Sequence, residues 1–290
     1  MMRVQRSWRA LVLLVACACA AVASPALAAD SLPPPAATSM VRGADGRLMA
    51  PDIARIVARG ELVVAMFKGD SPPFYTEKKG VLSGIDVDLA RSIGKELGVP
   101  VRFDRSGATI DGVVELVGLG QADIAIGRLG RTLKRSQMVQ FSTPYMLLGH
   151  AMLLNRVRFA EMAGERPLKQ VMRDFKGQIG VMERTSWEEF ARRHFPQASV
   201  KPYPSWAALV DAVSRGEVAG AYRDELEVRA VLERDPRLAL TLRTVTFSDA
   251  QSVLSVMVGV GDSTLLSLVN EVIGTRADKP SVASALKLAR

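Results

Sequence analysis

The sequence predicts an α/β protein of two lobes, each a mainly parallel sheet flanked by helices, with a cleft between them. Three observations carry this. Short β-rich runs alternate with helical patterns from about position 60 onward, the signature of layered sheets and helices. Two extended segments, "MLLGHAMLLN" (146–155) and "SVLSVMVGV" (252–260), stand out by their length. Between them lies a complete second α/β series, so the chain is expected to cross into a second lobe and return. That reading puts lobe 1 at 51–149 and 253–290, lobe 2 at 150–252, and the hinges at 149–151 and 252–254.

The first residues read as an export signal. Arg3, Arg6 and Arg9 precede an apolar run at 10–22, and "ALA" at 26–28 offers a small-residue cleavage site, so 1–29 is expected to be a signal peptide. The run is too short to span a bilayer comfortably. Removing it takes three arginines and no acid from 38 basic and 30 acidic residues, leaving a net charge of +5. Both cysteines, Cys17 and Cys19, leave with it, so neither a disulfide nor thiol chemistry is expected in the mature chain. "LVAC" at 14–17 offers a second reading, a lipid-modified Cys17 as membrane anchor; against it, the apolar run continues to Val22. Residues 30–50, rich in Pro, Ala and Gly, read as a disordered leader.

In lobe 1, "ELVVAMF" (61–67) is a strand. The stretch "DVDLARSIGKELG" puts Leu89, Ile93 and Leu97 on one helical face and stops at Gly98. Strands at "VRF" (101–103) and "ADIAIG" (122–127) flank a helix at "IDGVVELVGLG". In lobe 2, strands at "QIGVM", "VKPY" and "VAGAY" alternate with helices at "TSWEEFARRHF", "WAALVDAVSRG" and "DELEVRAVLER", and "STLLSLVNEVIGTR" closes the chain as a helix.

The stretch "GRLGRTLKRSQMVQFSTPY" (127–145) crowds Arg128, Arg131, Lys134 and Arg135 into eight residues, and 124–160 holds no Asp or Glu. Something anionic is expected there. Nucleic acid is set aside: the cations are interleaved with Leu, Gly and Thr at a strand-to-turn junction, aromatics are 6%, and the chain is read as exported. Catalytic constellations are poor. His150 and His194 lack metal-ligand spacing, and no P-loop, G-x-S-x-G or G-x-G-x-x-G turn occurs, so neither a metal nor a cofactor is expected. His194, following Arg192 and Arg193, reads as a solvated surface residue. Asp86 and Asp88 begin a helix and read as complements to its dipole.

Several blocks, in order, resemble one family. "SPPFYTEKKGVLSGIDVDLARSIGKELG", "GQADIAIGRLGRTLKRSQMVQFSTPY", "FKGQIGVMERTSWEEF" and "SRGEVAGAYRDELEV" are similar to successive blocks of the family 3 solute-binding proteins, the periplasmic receptors of polar amino-acid ABC transporters. The resemblance spans roughly 51–290. It implies a type II periplasmic-binding fold, a periplasmic monomer, a small-molecule ligand and an inner-membrane ABC permease as partner.

By the same resemblance Arg135, the Arg of Thr-x-x-Arg, is similar to the family's clamp on the ligand α-carboxylate, and its planar fork suits two carboxylate oxygens. Thr132 is expected to cap the turn carrying Arg135 or donate to that carboxylate. Asp224 in "AYRDE" matches the acceptor for the ligand α-ammonium. Thr185 and Ser186 match a hydroxyl pair at a helix N-terminus, where free N–H groups favour anions. Phe67, Phe74 and Tyr75 are candidate pocket walls, with core packing beside a strand end as the alternative. The chain departs from the pattern at Gly127, Arg128 and Gly130, at Arg184 in place of a Gly, and at Lys68 in place of a common acid; Ala108 to Ile110 replace a usual aromatic. Added cations at Lys68, Arg128 and Arg184 point to an acidic amino acid or a dicarboxylate. Two other readings stay open: a periplasmic cyclohexadienyl dehydratase-like enzyme with Glu183 as general acid, and a sensor or accessory protein that has lost ligand binding.

Overall fold

A computed structural model describes residues 40–277 together with Pro280, Ser281 and Ala285. The expected signal peptide, the anchor reading of Cys17 and the leader as far as position 39 lie outside these residues. A small hairpin, β1 (Val41–Arg42) and β2 (Leu48–Met49), comes first. The disordered leader expected to reach position 50 is therefore corrected for 41–49: Gly46 turns the chain at φ 81°, and Met49 is buried.

Lobe 1 then contributes α1 (Pro51–Arg59), β3 (Leu62–Ala65), the hairpin β4 (Thr76–Lys78) and β5 (Val81–Ser83), and α2 (Ile85–Leu97). It continues with β6 (Val101–Asp104), α3 (Ile110–Gly118), β7 (Ile124–Ala125) and β8 (Val139–Phe141). The long β9 (Met146–Asn155) leads into α4 (Arg156–Ala163), α5 (Leu168–Arg173), β10 (Gln178–Met182) and α6 (Ser186–His194). Lobe 2 is completed by β11 (Ser199–Tyr203), α7 (Trp206–Ser214), β12 (Gly220–Asp224), α8 (Glu225–Arg234) and β13 (Leu242–Leu254). The chain returns through β14 (Met257–Gly259) and α9 (Ser263–Thr275).

The strands form two five-stranded sheets, β6-β3-β7-β14-β8 in lobe 1 and β11-β10-β12-β9-β13 in lobe 2. The parallel part of each sheet, β6-β3-β7 and β11-β10-β12, is what alternation with helices predicts; the returning strands add antiparallel pairs. Each sheet buries both faces. In β3, Leu62 and Val64 join one core cluster, Val63 and Ala65 the other, and in β9 Met152 and Leu154 part from Ala151 and Leu153 in the same way. Period-two alternation with apolar residues on both sides requires helices on both faces.

β9 and β13 run antiparallel from Leu254↔Met146 to Leu242↔Asn155 and carry the chain between the lobes. Their register breaks between Thr246 and Gln251, opposite Ala151 and Gly149, so that 247–250 bulge outward. His150 sits at this break, fully buried, its Nε2 2.9 Å from Ser252 Oγ and its Nδ1 against Tyr222 Oη. Tyr222 Oη is also 2.7 Å from His194 Nδ1. His194 is therefore half-buried in an aromatic cluster and not a solvated surface residue: the C-terminal turn of α6 packs onto β12.

Candidate functional site

After β7 the chain enters an unusual turn. Gly127 has φ 145° and Arg128 φ 58°, the left-handed region that a residue with a Cβ seldom occupies. Asp86, wholly buried at the start of α2, holds it there by accepting the Arg128 N–H on Oδ2 at 2.7 Å. That bond is a correction to the reading of Asp86 as a helix-dipole complement alone. Burial pushes the Asp86 carboxyl up to about 7, against the opposing pull of the Arg128 N–H.

The turn aims the Arg128 side chain across the cleft. Its guanidinium lies over the Phe74 ring, 5.3 Å from the centroid, and donates to Ser71 Oγ at 2.7 Å on its own lobe. On lobe 2 it meets Glu227 Oε1 at 2.9 Å and Asp224 Oδ2. Burial works against its charge, but Asp224 and Glu227 outweigh burial and hold it above its ordinary value. Glu227 is in turn drawn down to about 2: burial opposes its charge, and Arg128 and Arg223 overcome it. Arg223 completes the cluster, stacked over Trp206 at 5.0 Å with its Nε 3.5 Å from Asp224.

Arg135 opens a short 3-10 turn whose first N–H bonds to Thr132 Oγ1 at 3.1 Å. The guanidinium is fully buried; Nε and Nη2 donate to Asp111 Oδ1 at 3.1 and 2.7 Å, and Nη1 to the Gly130 carbonyl at 2.8 Å. Lys134 Nζ reaches the other Asp111 oxygen at 3.4 Å. Two cations thus share one carboxylate, which leaves surplus positive charge at this wall. Arg131 turns to the junction between β13 and β14, donating to Ser255 Oγ at 2.8 Å and to the Ser142 carbonyl.

Between these walls lies a cavity of about 300 Å³, with Arg128, Arg135 and Tyr75 from lobe 1 facing Ser186, Trp206 and Arg223 from lobe 2. Backbone bonds also cross the cleft: Asp111 N–H to the Arg184 carbonyl at 3.2 Å, and Leu133 and Lys134 N–H to the Glu189 carboxylate at 2.9 and 3.3 Å. A larger hollow, about 630 Å³, lies within lobe 2 against Tyr222, His194 and Phe247, away from the cross-cleft ion pairs.

Residues 62–285 match the sequence model of the bacterial extracellular solute-binding proteins, family 3. The chain belongs to this family. The L-cystine-binding protein TcyJ of Escherichia coli K12 is 26% identical over 247 residues, which cover 82% of this chain and 86% of that protein. The arginine-binding periplasmic protein of Mannheimia haemolytica is 26% identical over 171 residues, 58% of this chain and 65% of the relative. Among solved structures, the ancestral amino acid-binding protein AncCDT-1, a precursor of cyclohexadienyl dehydratase, superposes with a TM-score of 0.62 at 25% identity, covering 81% of this chain and 96% of that one. The L-arginine-bound substrate-binding protein AbpA of Streptococcus pneumoniae shares the fold at a TM-score of 0.62 and 23% identity, covering 81% and 95%.

In this family 3 protein, six of the sequence-predicted residues line the interlobe cavity: Phe67, Tyr75, Arg128, Arg135, Thr185 and Ser186. Thr185 also caps α6, accepting the Trp187 N–H at 3.3 Å. Thr132 stands behind Arg135. Asp224, only 1% exposed, lies behind the lobe 2 wall, where it pairs with Arg128 and caps α8 through the Glu227 N–H at 3.1 Å. Phe74 belongs to the lobe 1 core beneath Arg128. Lys68 is exposed, its carbonyl accepting from Arg105. Arg184 is also exposed, at φ 53°, 3.5 Å from Glu115. Glu183 is exposed and outside the cavity lining.

Sequence reading missed Arg223, Glu227 and Trp206. Arg223 and Glu227 stand beside the flagged Asp224, so a charged pair flanking one predicted contact was a usable signal. Trp206 begins a helix that reads as core. Among the described residues no helix is long and apolar enough to cross a membrane, and no cluster of three metal-ligating side chains occurs.

Proposed function

We propose that this chain is a periplasmic, monomeric receptor that captures a small acidic ligand between its lobes and presents it to an inner-membrane ABC permease. The observation that carries the reading is the interlobe cavity, with Arg135 in one wall and the N-terminus of α6, bearing Thr185 and Ser186, in the other. A carboxylate placed there takes up the surplus charge left where Arg135 and Lys134 share Asp111. It also meets the positive end of a helix dipole. Because the two walls belong to different lobes, a ligand touching both favours the closed arrangement over an open one, which couples capture to hinge motion at β9 and β13. The cystine- and arginine-binding relatives support an amino-acid-sized solute; the arginine-rich wall here supports an anionic one.

The test is a thermal-shift screen of the mature protein against amino acids and dicarboxylates, followed by calorimetry on the hits. A ligand that binds only the folded state stabilises it by mass action, by about 2.7 kcal/mol at one hundred times its dissociation constant, and so raises the melting temperature. A panel with no stabilising member would sink the receptor reading. An enzyme reading draws no support from the cavity, because Glu183 does not face it.

A further inference from the structure

We propose that Arg128 is a built-in cation that sets ligand class: the cleft selects a carboxylate ligand without an ammonium group. The proposal rests on the receptor reading above and narrows it.

An ammonium entering the cavity needs a carboxylate partner once it leaves water. Each candidate partner is already engaged. Asp224 and Glu227 are held by Arg128 and Arg223. Asp111 is held by Arg135 and Lys134. Asp70, at the mouth, is 3.2 Å from Arg105 and accepts from Thr76 Oγ1 at 3.1 Å. The cavity wall itself carries Arg128, Arg135, Arg223 and Arg234 against Asp70 and Glu227, so an added ammonium meets repulsion rather than a free acceptor.

The fold goes out of its way to place this cation. A non-glycine residue is kept in the left-handed region by a buried carboxylate, with its guanidinium seated on Phe74 and tied to Ser71. From there it bridges the lobes. The protein itself thereby supplies the positive group that joins lobe 1 to Asp224 and Glu227, and the ligand need supply only the negative end that Arg135 and the α6 N-terminus receive.

The experiment uses matched pairs. Binding of 2-oxoglutarate against L-glutamate, and of succinate against L-aspartate, is measured by calorimetry on the wild-type protein and on Arg128→Gly, which suits φ 58° without a Cβ. The expected result is at least tenfold tighter binding of the member without ammonium by the wild type. In Arg128→Gly that preference reverses by at least tenfold, and methylammonium or guanidinium restores dicarboxylate binding to the variant. Wild-type binding of the amino acid as tightly as its ammonium-free partner overturns the inference and leaves the receptor reading standing. An unchanged preference in a folded Arg128→Gly overturns it as well. If the variant does not melt cooperatively, the wild-type pairs decide alone. If neither protein binds any member of a wider solute panel, the receptor reading falls, and this inference with it.

Discussion

Asp86 and Arg128 are linked through backbone rather than side chain: the carboxylate accepts the Arg128 N–H at 2.7 Å, and its other oxygen, Oδ1, is buried with the Tyr145 hydroxyl beside it but no well-formed hydrogen bond. The helix start therefore controls where a guanidinium 42 positions later crosses the cleft. It does so at a cost, because a half-satisfied buried carboxylate resists ionisation.

That cost gives a pH dependence of known sign. The folded Asp86 titrates at about 7 and the unfolded one near 3.8, so the folded state binds the proton more tightly. Its stability contribution is full below pH 4 and is lost as pH rises through 7, a change of about 4 kcal/mol at 1.36 kcal/mol for each factor of ten. Asp86→Asn, which keeps an oxygen for the Arg128 N–H, is expected to be more stable than wild type at pH 8 and equal to it near pH 4. Urea unfolding across that range measures this; a variant less stable at pH 8 would show that the charge itself is needed.

His150 acts in the opposite sense. Burial, with the neighbouring His194 and Arg193, holds its ring down to about 3, so it stays neutral while the unfolded imidazole protonates near 6.5. Stability from this group is complete above pH 6.5 and drains away as pH falls toward 3. In wild type the two slopes offset one another between pH 4 and 6.5. Asp86→Asn should expose the acid loss due to His150, and His150→Asn in the same background should flatten it. A double variant that keeps the full acid slope would place its origin elsewhere.

How much of this was legible in sequence depends on how local each signal is. β9 is legible in full at 146–155, and the helix that stops at Gly98 is legible in its apolar spacing, because both patterns lie within one element. The first half of β13 is not, since the polar "TFSDAQ" hides a strand that bulges between Thr246 and Gln251. The cation cluster was visible, and so was the absence of acid around it. What neutralises it was not: Asp111 is 24 positions from Arg135, and Asp224 and Glu227 are 96 and 99 from Arg128, pairings set by topology and by a left-handed residue that no spacing announces.

Arg135 has a structural partner as well as a proposed ligand, and the two roles separate. Arg135→Ala leaves the buried Asp111 with the exposed Lys134 as its remaining cation, at 3.4 Å, and is expected to cost about 3 kcal/mol in unfolding free energy, the lower end for a broken buried pair. Arg135→Met with Asp111→Asn removes both charges and should recover most of that stability while leaving carboxylate binding at least a hundredfold weaker. Recovery of binding along with stability would show that Arg135 serves the fold alone. Denaturant unfolding and calorimetry on the same samples read the two quantities independently.

Glu189 supplies the last cross-cleft contact, its two carboxylate oxygens accepting the N–H groups of Leu133 and Lys134 at 2.9 and 3.3 Å. These bonds join α6 of lobe 2 to the loop that carries Arg135, and they exist only while the lobes are together. Charge-assisted bonds of this kind contribute about 1.5–3 kcal/mol each before solvent exposure is discounted. Glu189 is partly exposed, so Glu189→Ala is expected to shift the open–closed balance by about tenfold while leaving the cores of both lobes intact. Small-angle scattering should report a larger radius of gyration for the variant, and ligand release should quicken by about the same factor. A variant with unchanged scattering and unchanged release would mean that the remaining cross-cleft contacts, Arg128 with its two carboxylates and the Asp111 N–H with the Arg184 carbonyl, hold the cleft without help from Glu189.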